Sequence, residues 1–400
     1  MSRRKRRFEN RQIKRNKNKE KRLERYNDYN DIISYQSLYD AAQKASNGVK
    51  WKESVQKYMA NILMNISKTH DDLVVGNDIR KGFIEFEVNE RGKRRLIKSV
   101  HFAERVVQKV ICQKTLYPSI TSDLIYDNGA NRIGKGTHFS IERLEHHLHQ
   151  FYRSHKNNGY ILLIDFQKYF DNINHDYLKQ LYRKHFYDER LLKLLDSFID
   201  AFGEKGLGLG SEVNQISAVA YPNKLDHYIK EVLRVKGYGR YMDDSYLIHH
   251  DKKFLQYALE EIKKICDELG IIVHPKKTHI TDLKHGFTYL KTNFYLTDSG
   301  KVIKRPCRKS ITFARRRLKR QVNLVNKGIL TVDQIRQSVL SWLGSLKNKK
   351  AYFTIKNIEK LFYKLYREPL RIERPTDRIS RLKRFLEIKK RTYKPKTPEN

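Results

Sequence analysis

Cysteine is scarce in this 400-residue chain: Cys112, Cys266 and Cys307 lie far apart and match neither a zinc-ligand spacing nor a disulfide framework. That excludes a disulfide-stapled secreted domain and points to a reducing cytosol as the compartment. No apolar run approaches the roughly 18 residues that a membrane helix needs. The basic N-terminus has no apolar stretch behind it, which excludes a secretory signal. No internal repeat is found. Acidic residues are also in deficit, with 45 Asp and Glu against 83 Lys and Arg, a net charge of +38. What is present suffices to build cores: apolar residues make up 39 % and aromatics 11 %, including 25 tyrosines, so wholesale disorder is excluded. A mass of 47.8 kDa suits two or three sub-domains.

The positive charge is concentrated at the two ends. Residues 1–25 hold thirteen basic and three acidic side chains, and residues 301–400 hold thirty and seven, leaving the centre near balance at +5. A balanced body with two cationic ends predicts a partner that is a polyanion, nucleic acid above all, gripped by the ends. Such binding weakens steeply with salt, because each neutralised phosphate releases counterions. The N-terminal segment has almost no apolar face, which argues against a membrane surface.

Periodicity assigns the elements. Residues 83–100 alternate about Asn-Glu-Arg-Gly and read as a β-hairpin, 101–118 turn helical, and 127–137 form a glycine-rich loop with two cations. A helix follows over 138–155. Tyr160-Ile-Leu-Leu-Ile164 is a strand that stops at Asp165, and Asn174 caps a helix with Leu178, Leu181, Tyr182 and His185 on one face. A helix is expected near 212–235 after Gly206, Gly208 and Gly210. Residues 237–249 read as strand, turn, strand with Asp243-Asp244 at the turn. A helix over 252–269, short strands to about 305, and helices over 307–327, 331–345 and 355–367 complete an α+β chain with a helical C-terminal part. His146, His147 and His149 are expected as exposed or half-buried helix residues rather than metal ligands, and His249-His250 likewise.

Three carboxylates therefore sit at strand ends. If the two strands are neighbours, Asp165, Asp243 and Asp244 converge at one sheet edge. Such a cluster repels itself, and divalent cations relieve the repulsion. Hard oxygen ligands are what Mg²⁺ prefers, and two such ions about 4 Å apart suit phosphoryl transfer. An Asp-Asp pair also suits a plain polar turn.

The flanks decide between these readings. Tyr241-Met-Asp-Asp244, preceded by Gly-Tyr-Gly-Arg, resembles the Tyr-x-Asp-Asp hairpin of the reverse transcriptases, and Leu163-Ile-Asp-Phe-Gln-Lys-Tyr-Phe-Asp-Asn-Ile173 resembles their first palm motif, 78 residues upstream. The resemblance implies Asp165, Asp243 and Asp244 as catalytic and metal-binding residues, with Phe166 beside them in the metal site. Phe170 falls where that family places the aromatic gate that excludes a ribose 2′-hydroxyl. Leu209-Gly-Ser-Glu-Val-Asn-Gln215 resembles the second palm motif, implying Leu209, Gly210 and Gln215 at the nucleotide and template. It departs from the commoner Gln-Gly…Ser-Pro form, with Asn214 replacing the usual Ser, and a loosened fit and low fidelity are the expectation. Leu269–Thr278 resembles the motif whose lysine protonates the leaving pyrophosphate, here Lys277 with Lys276 as the alternative, and Gly286–Phe294 the primer grip. Arg95, Arg132 and Lys135 resemble the cations that hold the triphosphate.

By the same resemblance the fold is a right-hand polymerase: a basic N-terminal arm (1–30), fingers (31–158), a palm of antiparallel sheet and helices with a fingers insertion (159–300), a helical basic thumb (301–370) and a basic tail (371–400). The implied activity is RNA-directed DNA synthesis with two Mg²⁺ ions, or Mn²⁺ in their place, on an RNA template with a DNA primer and dNTPs. The chain leaves no room for a ribonuclease H or integrase domain, so a compact prokaryotic enzyme related to the group II intron enzymes is expected. Its template would be a structured non-coding RNA in antiphage defence. The alternatives are a diversity-generating enzyme, a template-independent DNA polymerase and a non-catalytic RNA-binding scaffold; an oligomer is left open.

Overall fold

The structure is a computed structural model describing residues 26–90 and 93–371, together with Lys17, Glu20, Lys21 and Glu24. The rest of the expected N-terminal arm and the tail from Ile372 onward lie outside the described residues. The chain divides into two compact units, the first holding residues up to Leu290 with Leu296–Val302, the second Lys291–Tyr295 with Ile303 onward.

The first unit opens on four helices, α1 (Tyr29–Ile33), α2 (Tyr35–Ser46), α3 (Glu53–Ala60) and α4 (Ile62–Val75). Asp28 and Ser34 cap α1 and α2 through their side-chain oxygens, and Leu38, Ala41 and Ala42 form the buried stripe of α2. The hairpin β1 (Phe83–Glu90) and β2 (Lys93–Val100) pairs antiparallel with Phe83 opposite Val100. Helix α5 (Phe102–Ile111) buries Val106, Val107, Val110 and Ile111, widens into a π turn at Cys112–Leu116 and continues as α6 (Tyr117–Asp123). Helix α7 (Thr137–His155) follows the glycine-rich loop.

The central sheet is built from β3 (Tyr160–Ile164), β4 (Gly237–Tyr241), β5 (Asp244–His249) and β6 (His279–Asp282) in the order β4-β5-β3-β6. All three pairings are antiparallel. Ile161–Ile164 are buried in succession, as a central strand with both faces covered requires, and α12 (Lys252–Glu268) packs on β3 and β5. Helices α8 (His175–Arg183) and α9 (Glu189–Asp200) complete this part of the core.

Two expected helix features differ from the structure. The helix expected near 212–235 is broken into α10 (Glu212–Ala220), α11 (Asn223–His227) and a π turn at Tyr228–Val232. Pro222 lies at the break, where it lacks the amide a continuing helix would use. His185 lies past the end of α8, buried, with Nδ1 3.2 Å from Ser119 Oγ.

Strand β7 (Phe287–Tyr289) precedes β8 (Thr292–Leu296) and β9 (Val302–Pro306). The second unit contains helices α13 (Arg308–Asn326), α14 (Val332–Gly344) and α15 (Tyr352–Tyr366) around a core that includes Leu318, Ile335, Leu343, Ile358 and Phe362. Thr331 and Gln334 close a capping box on α14. Only Leu318 of α13 is buried, so its Arg315, Arg316, Lys319 and Arg320 lie outside this core. Among the described residues no helix is long and apolar enough to cross a membrane.

Candidate active site

Strand pairing delivers the two acidic motifs to one edge. Tyr241 pairs with Asp244, leaving Met242 and Asp243 as a two-residue turn, while Ser245 pairs with Ile164, one residue before Asp165. Met242 takes φ +55°, the left-handed value that primed hairpin turns require. A neighbouring loop clamps the end of β3: the Asp165 carbonyl accepts from His274 N at 2.8 Å, and Gln167 N donates to the Ile272 carbonyl at 2.7 Å.

The electrostatics follow from that convergence. Lys277 Nζ lies 2.7 and 2.9 Å from the two carboxylate oxygens of Asp165. Burial pushes the Asp243 carboxyl above the usual carboxylate range and the charge of Asp165 adds to this, while a backbone hydrogen bond, Lys277 and Arg95 oppose the rise. Asp165, Asp243, Lys277 and Arg95 thus share one electrostatic site. Burial raises the pKa of the Tyr289 hydroxyl, and Tyr246 and Asp244, which opens β5, add to the rise. Among the described residues no group of three His, Cys, Asp or Glu side chains is close enough to enclose a metal ion. The three aspartates therefore do not form one tight cluster. Asp165 and Asp243 are nevertheless hard oxygen donors with a cation already drawn to them, and they fit a divalent ion that takes its remaining ligands from water and phosphate. Phe166 buries its ring in the core, so its share in such a site is its backbone carbonyl.

Beneath the turn lies a network that sequence reading missed. Arg240 is 1 % exposed, and Asp226 is fully buried beside it. Arg240 Nε donates to Asp226 at 2.8 Å, its other nitrogens reach the carbonyls of Met242 at 3.1 Å and Val219 at 2.8 Å, and the Tyr238 hydroxyl adds a 2.5 Å bond to Asp226. The available signal was an arginine inside an otherwise buried strand. A second hub is Asp127, which accepts from Arg143 at 2.7 Å and Lys230 at 2.8 Å and lies 3.5 Å from His147 Nε2. Burial alone would raise its carboxyl, but hydrogen bonds from His147 and Lys230 hold it well below the usual range. His147 is therefore buried rather than surface-facing, with Nδ1 2.9 Å from the Tyr246 hydroxyl.

The remaining expected residues lie on two loops. Phe170 is half-buried in a single 3₁₀ turn, and its carbonyl accepts from Leu207 N at 2.8 Å. Leu209 bridges to Ile97 of the β1–β2 hairpin, its carbonyl accepting from Lys98 N at 3.0 Å. Gly210 has φ +128°, and a Cβ there would stand 2.8 Å from the Lys98 carbonyl, so only glycine permits the approach. Asn214 explains its own departure from Ser: its side-chain amide reaches back 2.9 Å to the Gly208 carbonyl and ties the loop. Exposed Gln215 joins Gly210, Arg105 and Tyr117 on a cavity of about 330 Å³. Arg132 donates to the carbonyls of Ile125, Thr121 and Asn128, and Lys135 to that of Tyr126. Both cations hold their own loop, which is also tied to β4 where Arg240 N donates to the Asp127 carbonyl at 3.2 Å. Burial and nearby Arg132 pull Lys135 down to about 8.

The sequence matches the reverse transcriptase (RNA-dependent DNA polymerase) family over residues 79–294, more than half of the chain. The chain belongs to the reverse transcriptase family. No curated protein sequence matches it. Among solved structures, the reverse-transcriptase chain is similar to apo telomerase from Candida tropicalis truncated from its C-terminal domain, at 14 % identity and TM-score 0.44, covering 56 % of this chain and 54 % of that one. It is also similar to telomerase from Candida albicans in complex with the TWJ fragment of telomeric RNA, at 12 % identity and TM-score 0.45, covering 75 % of this chain and 62 % of that one. The chain thus spans between half and two thirds of the length of these structures. The family match contains every acidic residue of the site, together with Lys277, Phe170 and the Leu209–Gln215 loop.

Proposed function

We propose that this reverse-transcriptase chain is an RNA-directed DNA polymerase that adds dNTPs to a primer 3′-hydroxyl by two-metal phosphoryl transfer. The observation that carries the reading is the meeting of Asp165 and Asp243 at the ends of hydrogen-bonded strands, with Lys277 on one carboxylate and Arg95 within electrostatic reach of the other. In this reading Asp165 and Asp243 would hold two Mg²⁺ ions, or Mn²⁺, with Asp244 and the Phe166 carbonyl in support. Bound ions of this kind activate a hydroxyl and neutralise charge on phosphate oxygens. The primer 3′-hydroxyl loses its proton to solvent water, its oxygen bonds to the α-phosphorus, the bond to the β-phosphate oxygen breaks, and pyrophosphate leaves. Lys277 is the proton donor to that leaving group, which requires its ammonium to move off Asp165. Phe170 closes the sugar pocket, and Leu209, Gly210 and Gln215 face the base pair. Arg95 is the triphosphate cation best placed for the task, with Arg132 and Lys135 ordering the loop beside it.

Residues 31–158 serve as fingers, 159–300 as palm and 301–370 as thumb, with the arm and tail gripping RNA through phosphates. The template is a structured non-coding RNA, and the role is antiphage defence; the strongly cationic ends support a large RNA partner. The test is extension of a DNA primer on an RNA template by the full chain with Mg²⁺ and either dNTPs or NTPs. Extension with dNTPs that disappears in Asp243→Asn/Asp244→Asn is the expected result. Tight RNA binding without extension would overturn the polymerase reading. Sequencing the product made with co-purifying RNA names the template, and equal phage plating on cells carrying the active or the Asp243→Asn gene would remove the defence role.

A further inference from the structure

A second cavity, of about 550 Å³, opens in the first unit between the last turns of α7, the loop before β4, the end of β5 and the start of α12. Its volume falls within the range of small-ligand sites. The end of β5 is five residues, roughly 17 Å, from Asp244, so the cavity is no part of the carboxylate site. Its charged lining consists of Arg153, Arg234 and Lys236, joined by histidines, and no carboxylate lines it. The three cations are exposed, and within the described residues their side chains make no hydrogen bond or ion pair. Arg234 is held at φ +53°, in the left-handed region.

Beside these cations runs a ladder of rings. Phe151 stacks on His155 at 5.0 Å, His155 on His250 at 4.5 Å with an interplanar angle of 10°, His250 meets His249 at 4.3 Å, and His249 meets Phe254 at 4.1 Å. His155 and His250 are exposed members of that ladder. Unneutralised cations around a concave space favour an anion, and arginine suits the oxygens of phosphate. The rings beside them cover one another's faces and leave edges exposed, which suit edge-to-face contact with a planar aromatic partner. An acidic peptide satisfies the first feature but not the second.

We propose that this cavity is a second nucleotide-binding site, where a base packs against the exposed edges of His155 and His250 and its phosphate is held by Arg153, Arg234 and Lys236. The proposal does not rest on the polymerase reading, since it uses none of the residues around Asp165 and Asp243. The same chemistry is offered by a free nucleotide and by an unpaired nucleotide within a strand.

The experiment is photo-cross-linking of the full chain with two probes, 8-azido-ADP and a ten-nucleotide RNA carrying 4-thiouridine, followed by peptide mapping. Label is expected on peptides spanning 147–156, 233–237 or 248–254. It should fall at least tenfold there in Arg153→Ala/Arg234→Ala/Lys236→Ala. A charge-matched variant, Lys50→Ala/Lys68→Ala/Lys81→Ala, should keep it. His155→Ala/His250→Ala, which leaves the cations in place, should also lose label. Capture of the azido probe assigns a free-nucleotide site, and capture of the RNA alone assigns a strand site. Absence of pocket label from both probes, or equal loss in the charge-matched variant, overturns the proposal.

Discussion

The guanidinium of Arg240 hydrogen-bonds the carbonyl of Met242 at 3.1 Å, one residue before the turn aspartate Asp243. The same guanidinium is locked to Asp226, and both side chains are buried. The turn that carries Asp243 is thus braced from beneath by a buried ion pair. Removing one partner leaves an unpaired buried charge, which typically costs about 3–5 kcal/mol. Arg240→Met and Asp226→Leu should each lower stability on that scale in denaturant unfolding, and the double variant should recover part of the loss. Two additive losses would show that the pair is not coupled.

Asp243 separates activity from stability. Its carboxyl pKa is raised by burial and by Asp165. A raised carboxyl pKa means that the ionised form destabilises the fold: the penalty is absent below the unfolded value and complete once pH exceeds the folded one. Asp243→Asn should therefore abolish nucleotide incorporation while raising the unfolding midpoint at pH 8. A midpoint below that of the parent protein would contradict the cost of burying the Asp243 charge beside Asp165. Lys277→Met should shift the acidic limb of the pH–activity profile upward, since Lys277 opposes the rise.

Gly210 is placed where two segments touch. With φ +128° and the Lys98 carbonyl 2.8 Å from any added Cβ, Gly210→Ala must displace the β1–β2 hairpin or strain the loop. The expected loss is about 1–3 kcal/mol, with faster proteolysis within 83–100 and weaker dNTP incorporation. Unchanged proteolysis and activity would show that the docking of Leu209 on Ile97 is dispensable.

Glu104 supplies a pH dependence away from the site. Burial pushes its carboxyl up to about 7, against a hydrogen bond from Gln108 and the charge of Arg80. The folded chain keeps this proton longer than the unfolded chain, so stability falls as pH rises from about 4.3, the usual glutamate value, through about 7. Glu104→Gln should be nearly neutral at pH 5 and stabilising at pH 8, read from urea midpoints. The same difference at both pH values would remove Glu104 as the titrating group.

Much of the fold was legible because local rules and burial agree. The apolar run before Asp165, the alternation over 83–100 and the Asn174 cap each appear as expected, since each encodes its element within a few residues. The helix expected over 212–235 failed at Tyr221-Pro222, where sequence periodicity continues but the proline cannot donate. His147 was misplaced because its partners, Asp127 and Tyr246, come from distant segments that only packing assembles.

By itself the sequence determined the residue types of this protein: the acidic motifs and their order, the glycine at 210, and the cationic ends that call for a polyanion. Those are properties of single residues and short spacings. Which charges meet was decided only by the tertiary structure. Pairing of β3 with β5 set Asp165 beside Asp243, a returning loop laid Lys277 on Asp165, and packing buried Arg240 against Asp226. Coulomb interactions depend on distance and local dielectric, and neither exists for segments far apart in sequence until the chain folds.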